Sequence, residues 1–150
     1  MEIARLEARL GSELGDGGPF GAVVVKDGRV VASAHNLVLK LGDSTAHAEM
    51  VAIRRAERAL GTYDLSGCEL YTTAYPCPMC LGAIMWARIS RVYYGCSPQD
   101  AAAIGFDDQL FYEALRSPAD NRLVSLRELE SEECREVFRR WREKGDRVVY

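Results

Sequence analysis

Apolar residues at Ile3, Leu6, Leu10 and Leu14 recur at near-helical spacing and predict an amphipathic helix over residues 2–14. The following Gly15-Asp-Gly-Gly-Pro19 ends it, because glycine permits turn geometry and proline cannot continue a helix. Phe20 to Lys26 is apolar and β-branched, Asp27-Gly28 is a two-residue turn signal, and Arg29 to Ala34 returns, so this stretch predicts a β-hairpin. Asp43, Ser44 and Thr45 are cap-type residues ahead of a helix from about Ala46 to Leu60. Met50, Ile53 and Leu60 fall on its core side, and Gly61 stops it. Glu69 to Thr73 predicts a strand, Cys77 to Ala87 a helix with prolines near its start, and Arg91 to Gly95 another strand. Residues 97–119 are less regular, with one helix near Gln109–Leu115, and Leu123 to Leu126 predicts a last strand. Ser131 to Lys144 predicts a helix with Cys134, Val137, Phe138 and Trp141 on one face. Strands alternating with helices predict an α/β domain, one mixed sheet with helices packed on it.

Length and composition narrow the class. The 150 residues fit one domain, with no repeat or long linker to divide them. Hydrophobic residues are 48% and charged residues 27% of the chain, a globular profile. No stretch approaches the roughly 20 apolar residues of a membrane helix, and the N-terminus lacks a signal peptide's apolar core. A cytoplasmic protein is the expectation. The net charge of −3 argues against broad nucleic-acid binding, which needs a basic stripe. Of the five cysteines, Cys68, Cys96 and Cys134 are scattered and read as small buried hydrophobes. Cys77 and Cys80 are paired, and in a reducing compartment such a pair points to metal or redox chemistry.

Two short motifs each open a predicted helix: His47-Ala-Glu49 and Pro76-Cys-Pro-Met-Cys80. Cys77 and Cys80 lie three apart, so on a helical turn they share a face. A helix N-terminus favours the thiolate, the form that binds zinc. One neutral His47 nitrogen completes three protein ligands and leaves the fourth tetrahedral position to water, the arrangement of a catalytic site. Zinc lowers the pKa of such water from about 15.7 toward about 7. Glu49 stands within the same first turn as His47, placed to take the water's proton and deliver it to a ring nitrogen and a departing amine. Together the motifs have the form H-x-E…P-C-x-x-C of zinc deaminases.

Each residue also has a plainer use. His47 alone fits a satisfied core histidine, Glu49 an acidic first-turn residue, and the Cys77–Cys80 pair a thiol oxidoreductase. A noncatalytic binding module with a closed zinc site, taking His35 as fourth ligand, is a further alternative. The joint occurrence of the motifs at two helix starts favours the catalytic metal.

At these residues the chain resembles the cytidine deaminase-like superfamily and, within it, the bacterial guanine deaminases. The stretches that carry the likeness are Gly18 to Val25, Thr45 to Glu49, Pro76 to Ile84, Gly105-Phe-Asp-Asp108 and the C-terminal Tyr150. The resemblance implies a three-layer α/β/α fold with a mixed sheet of about five strands and one zinc per subunit. It implies hydrolytic deamination of a nucleobase, guanine to xanthine with release of ammonia. Asn36 would bind the base through its amide, the N–H of Ala48 would meet a ring or carbonyl oxygen, and Asp108 would read the N–H edge of guanine. Phe20, Trp86 and Phe106 would form apolar walls. The resemblance also implies a homodimer whose C-terminal segments, about residues 131–150, exchange between subunits, bringing Tyr150 over the other subunit's pocket.

Two departures bear on the substrate. The family commonly has glutamate just before the Pro-Cys pair, where this chain has Tyr75. Leu70-Tyr-Thr-Thr73 and His35-Asn36 resemble fungal-type cytosine deaminases, so cytosine is an alternative substrate; guanosine and aminotriazines stay open because pocket volume depends on loops that the sequence does not place. The tRNA adenosine deaminases share the zinc motifs. Here Arg139, Arg140 and Arg142 share their helix with Glu132, Glu133, Glu136 and Glu143, which predicts a solvated mixed-charge face instead of an RNA patch.

Overall fold

The computed structural model describes residues 1–106, 108–116 and 123–149. The chain forms two compact units, Met1–Glu113 and Ala114–Tyr150. The first holds α1 (Glu2–Glu13), β1 (Gly21–Lys26), β2 (Arg29–His35), α2 (Val38–Leu41), α3 (Ala48–Leu60), β3 (Cys68–Ala74), α4 (Pro78–Trp86), β4 (Arg91–Cys96) and α5 (Pro98–Ala103). α6 (Gln109–Arg116) begins in it, and α7 (Ser131–Glu143) belongs to the second unit.

The sheet has the order β2-β1-β3-β4. β1 runs antiparallel to β2 and β3, and β3 runs parallel to β4. The hairpin turn places Asp27 at φ 50° and Gly28 at φ 72°, the two positive values that match a tight turn to strand twist. Along β3 the side chains alternate, with Cys68, Leu70, Thr72 and Ala74 buried. Leu70 joins Val24, Ile53, Leu65 and Ile84 in the core beneath α3 and α4. α1 packs on the opposite face of β1 and β2, so helices cover both sides of a mixed sheet, the fold class expected.

Several expectations need correction. α1 turns Ala4, Ala8 and Gly11 to the sheet and leaves Ile3, Leu6, Leu10 and Leu14 exposed. The small residues win because the helix backbone lies almost on the strand: a Cβ at Gly21 would fall 2.0 Å from the Ala4 carbonyl oxygen. α3 has His47, not Ser44 or Thr45, at its N-cap position; it buries Val51, Ala52 and Ala56 with Ile53, Leu60 packs half-buried against the same core as expected, and Met50 is half-buried. Leu123 to Leu126 is irregular and its leucines and valine are exposed, so it adds no strand; the described sheet has four strands, in keeping with the mixed sheet of about five expected. α2 and α5 were not predicted. Only Cys68 among the scattered cysteines is buried; Cys96 and Cys134 are exposed. Within the second unit, Arg135, Arg139 and Arg140 of α7 pair with Glu132 and Glu136 at 2.8 to 3.0 Å, a mixed-charge face. No helix among the described residues is long and apolar enough to cross a membrane.

Candidate active site

The two motif helices begin alike. His47 is the N-cap of α3 and Cys77 the N-cap of α4, each with extended backbone and neither using its side chain to cap its helix. A residue in this position projects its side chain ahead of the helix. Because α3 and α4 pack together, the two projections meet. His47 Nδ1 lies 3.5 Å from Cys77 Sγ and 3.6 Å from Cys80 Sγ. All three donor atoms fall within 4.8 Å of one another. One imidazole nitrogen and two sulfurs form a donor set that zinc takes. Both helix N-termini point at it, which favours thiolate.

The electrostatics of the three groups are linked. The Cys80 thiol donating to Cys77, with help from His47, holds the Cys77 thiol down at about 4 against the cost of burial. The same contact, with burial and the nearby Glu49 charge, pushes Cys80 up. Contact with the Cys77 sulfur raises His47 despite its partial burial.

Glu49 is buried beside this group. Its Oε1 accepts a 2.8 Å hydrogen bond from the Thr72 hydroxyl, and its Oε2 lies 3.5 Å from Cys80 Sγ. Burial raises the carboxyl, while its own N–H and Thr72 pull the other way. Thr72 is the single polar side chain in the inward row of β3, fully buried.

His47, Glu49 and Cys77 form one wall of a cavity of about 240 Å³, and Asn36, Phe20 and Asp108 line it as well. Phe106 adds to the apolar side, its ring edge-on to Phe20 with centroids 4.8 Å apart. Asn36 is 5% exposed, and its Oδ1 accepts the Val38 N–H at 3.1 Å, so its NH₂ is the end left for a ligand. Asp108 opens α6, its carbonyl accepting from the Phe111 and Tyr112 N–H groups. Ala48 is completely buried at the first turn of α3, where an N–H has no acceptor within the helix. Trp86 does not join the apolar wall: it ends α4, 65% exposed, and is absent from the cavity lining. Tyr150 lies outside the described residues. His35 is no fourth ligand, because its two ring nitrogens face Glu7 and Asp16.

Sequence reasoning missed Thr72 and Tyr112, and marked Tyr75 only as a departure from the family pattern that bears on the substrate. Tyr75 lines the cavity and meets Tyr94 and Tyr112 with centroids 5.0 and 6.1 Å apart. The Tyr112 hydroxyl donates to the Pro76 carbonyl, just before Cys77. A lone threonine among inward apolar residues of a strand was the available signal for Thr72. Tyr112 reaches Pro76 across 36 residues of chain, and nothing local announces that.

Comparison with known proteins agrees with this geometry. The model of the cytidine and deoxycytidylate deaminase zinc-binding region matches residues 1–96. The guanine deaminase of Bacillus subtilis (strain 168) is 46% identical over 140 residues, 93% of this chain and 90% of that protein. The tRNA-specific adenosine deaminase of Agrobacterium fabrum is 44% identical over 140 residues, 93% of this chain and 91% of that protein. The X-ray structure of the B. subtilis guanine deaminase superposes with a TM-score of 0.95 at 44% identity, covering 99% of this chain and 95% of that one. With a matching zinc motif, a matching fold and three metal donors brought together, the chain belongs to the cytidine and deoxycytidylate deaminase zinc-binding family.

Proposed function

We propose that the protein is a zinc-dependent hydrolase that converts guanine and water to xanthine and ammonia. The observation that carries this is the placement of a buried carboxylate, Glu49, between three metal donors and a small cavity that Asn36 and Asp108 also line. His47, Cys77 and Cys80 would hold the metal. Zinc, when bound, makes water acidic enough to serve as a nucleophile near neutral pH.

The chain's own residues do the rest. Thr72 fixes Glu49 through Oε1, which leaves Oε2 on the metal side to move protons. That oxygen accepts a proton as water adds to C2 of guanine and passes it to a ring nitrogen; it then takes the proton of the new C2 hydroxyl and delivers it to the departing amine, leaving the C2 carbonyl of xanthine and ammonia. Asn36 donates to an acceptor on the base, and the Asp108 carboxylate accepts from its N–H edge. Phe20 and Phe106, in contact with each other, form one apolar side of the cavity and exclude water from the base. A cavity of about 240 Å³ is below the roughly 300 Å³ where drug-sized pockets begin, which suits a free base.

Residues 131–150 we read as exchanging between the subunits of a homodimer, so that Tyr150 closes the other subunit's cavity. The exposed Val137, Phe138 and Trp141 of α7 and the apolar tail around Val148 support this reading. Free thiols throughout suit a reducing compartment, the cytoplasm.

An ammonia-release screen over guanine, guanosine, cytosine, aminotriazines and a tRNA anticodon stem with a wobble adenosine tests the substrate. Guanine is expected to give the highest kcat/KM. Turnover of cytosine or of the RNA with guanine untouched would overturn the assignment. The high identity to a tRNA adenosine deaminase is the reason the RNA belongs in the screen.

A further inference from the structure

Outside the metal centre, a histidine and two carboxylates meet where α1, β2 and α2 come together. His35 ends β2, and its ring is held from both sides. Nδ1 lies 2.9 Å from Glu7 Oε2 and Nε2 lies 3.0 Å from Asp16 Oδ2. The second Glu7 oxygen accepts from the Ser33 hydroxyl at 2.5 Å, and Asp16 Oδ2 also takes Lys40 Nζ at 2.8 Å. The ring has no slack toward α1, because even a Cβ at Gly11 would stand 2.5 Å from His35 Cδ2.

The cluster leads into the cavity wall. Asn36 follows His35 directly, and a Cβ at Gly17 would lie 2.1 Å from Asn36 Oδ1, so the loop carrying Asp16 backs its amide. The Asp16 carbonyl accepts the N–H groups of both Leu39 and Lys40 at 3.0 Å, which pins α2. Asn36, Val38 and Leu39 all line the cavity. Both carboxyl groups are held below their ordinary range. Lys40 and then His35 hold Asp16 low, and hydrogen bonds from Ser33 and His35 outweigh the burial that would raise Glu7.

We propose that His35, gripped between Glu7 and Asp16, is a positioning residue that sets Asn36 and α2 against the substrate and so governs substrate affinity, not the chemical step. This rests on the reading that the cavity takes the nucleobase. Residues that only orient a binding group change KM, whereas residues of the proton path change kcat.

The test uses the zinc-loaded full-length protein with His35→Ala, the milder His35→Gln and Glu7→Gln. Hydrogen exchange is followed at the amides of Val38, Leu39 and Lys40, together with zinc content and guanine kinetics. His35→Ala is expected to speed exchange at these amides at least about tenfold and leave the Val51 amide in α3 and the zinc content unchanged. KM for guanine rises about tenfold with kcat within about threefold, and His35→Gln and Glu7→Gln fall between it and the parent. Unchanged exchange at the three amides overturns the proposal, and so does a fall in kcat with KM unmoved. If the parent protein ignores guanine while exchange responds as expected, the substrate reading fails and the clamp stands as a device holding the cavity wall. If His35→Ala does not fold, the other two variants decide by the same readouts.

Discussion

On the face covered by α3 and α4, the sheet buries Val24, Leu70 and Ala22 against Ile53, Leu65 and Ile84. On the face covered by α1 it meets Ala4, Ala8 and Gly11, with the Glu7–His35–Asp16 group at the edge. The first face is positioned by volume: large apolar side chains set how α3 and α4 lie, and with them the His47 and Cys77 caps. The second is positioned by close approach and hydrogen bonds, since small residues let the helix backbone rest on the strands. Metal donors and proton carrier therefore stand on the volume-packed side, and the groups that shape the cavity's outer wall stand on the hydrogen-bonded side. The two sides are expected to fail differently.

The largest break comes at the metal side. Cys77→Ser or Cys80→Ser is expected to lose zinc below about a tenth of the parent content and to lose turnover with it, because thiolate donors supply the affinity. Elemental analysis of the purified variants checks this. Glu49→Ala separates holding the metal from using it. Zinc is expected to stay while kcat falls roughly 10²–10⁴-fold. Near-normal kcat in that variant would remove Glu49 from the proton path.

The comparison sharpens with two leucines. Leu70 is completely buried on the volume-packed face, and Leu6, on the outer side of α1, is 48% exposed. Leu70→Ala is expected to cost about 2–5 kcal/mol in urea unfolding, and Leu6→Ala no more than about 0.5 kcal/mol. Equal costs would mean that the outer side of α1 is covered in solution.

The smallest effect is acid sensitivity. Burial raises Glu7, but donation from Ser33 and His35 brings its carboxyl below the ordinary value of 4.5. A carboxyl depressed by folding stabilises the chain above its unfolded value, and that contribution fades as pH falls through the folded one. Between about pH 5 and about pH 3 the parent's urea midpoint should therefore drop more than that of Glu7→Gln. Identical drops would show that Glu7 carries no folding linkage.

The metal side was legible because its chemistry is local in sequence. His47 and Glu49 share one turn, Cys77 and Cys80 another, and each pair opens a helix whose apolar pattern is plain. The clamp was not legible, because Glu7 and Asp16 stand 28 and 19 residues from His35 and carry no motif. α1 was read as a helix correctly, yet its contact face was not evident: large apolar residues dominate periodicity, while alanine and glycine make the contact. α5 escaped notice although Ser97 and Asp100 form a capping box, a signal that was present and unused. The apolar run at Leu123–Leu126 pairs with no strand in the described sheet, and a short run of that kind does not by itself specify a partner.

The central claim is an open zinc site with Glu49 beside it, and zinc K-edge spectroscopy on quantified, purified protein tests it most directly. The expected result is one zinc per chain with two sulfur and two light-atom neighbours, one of the latter from solvent and responsive to added guanine. Protein without zinc, or zinc enclosed by four amino-acid donors and indifferent to guanine, would contradict it.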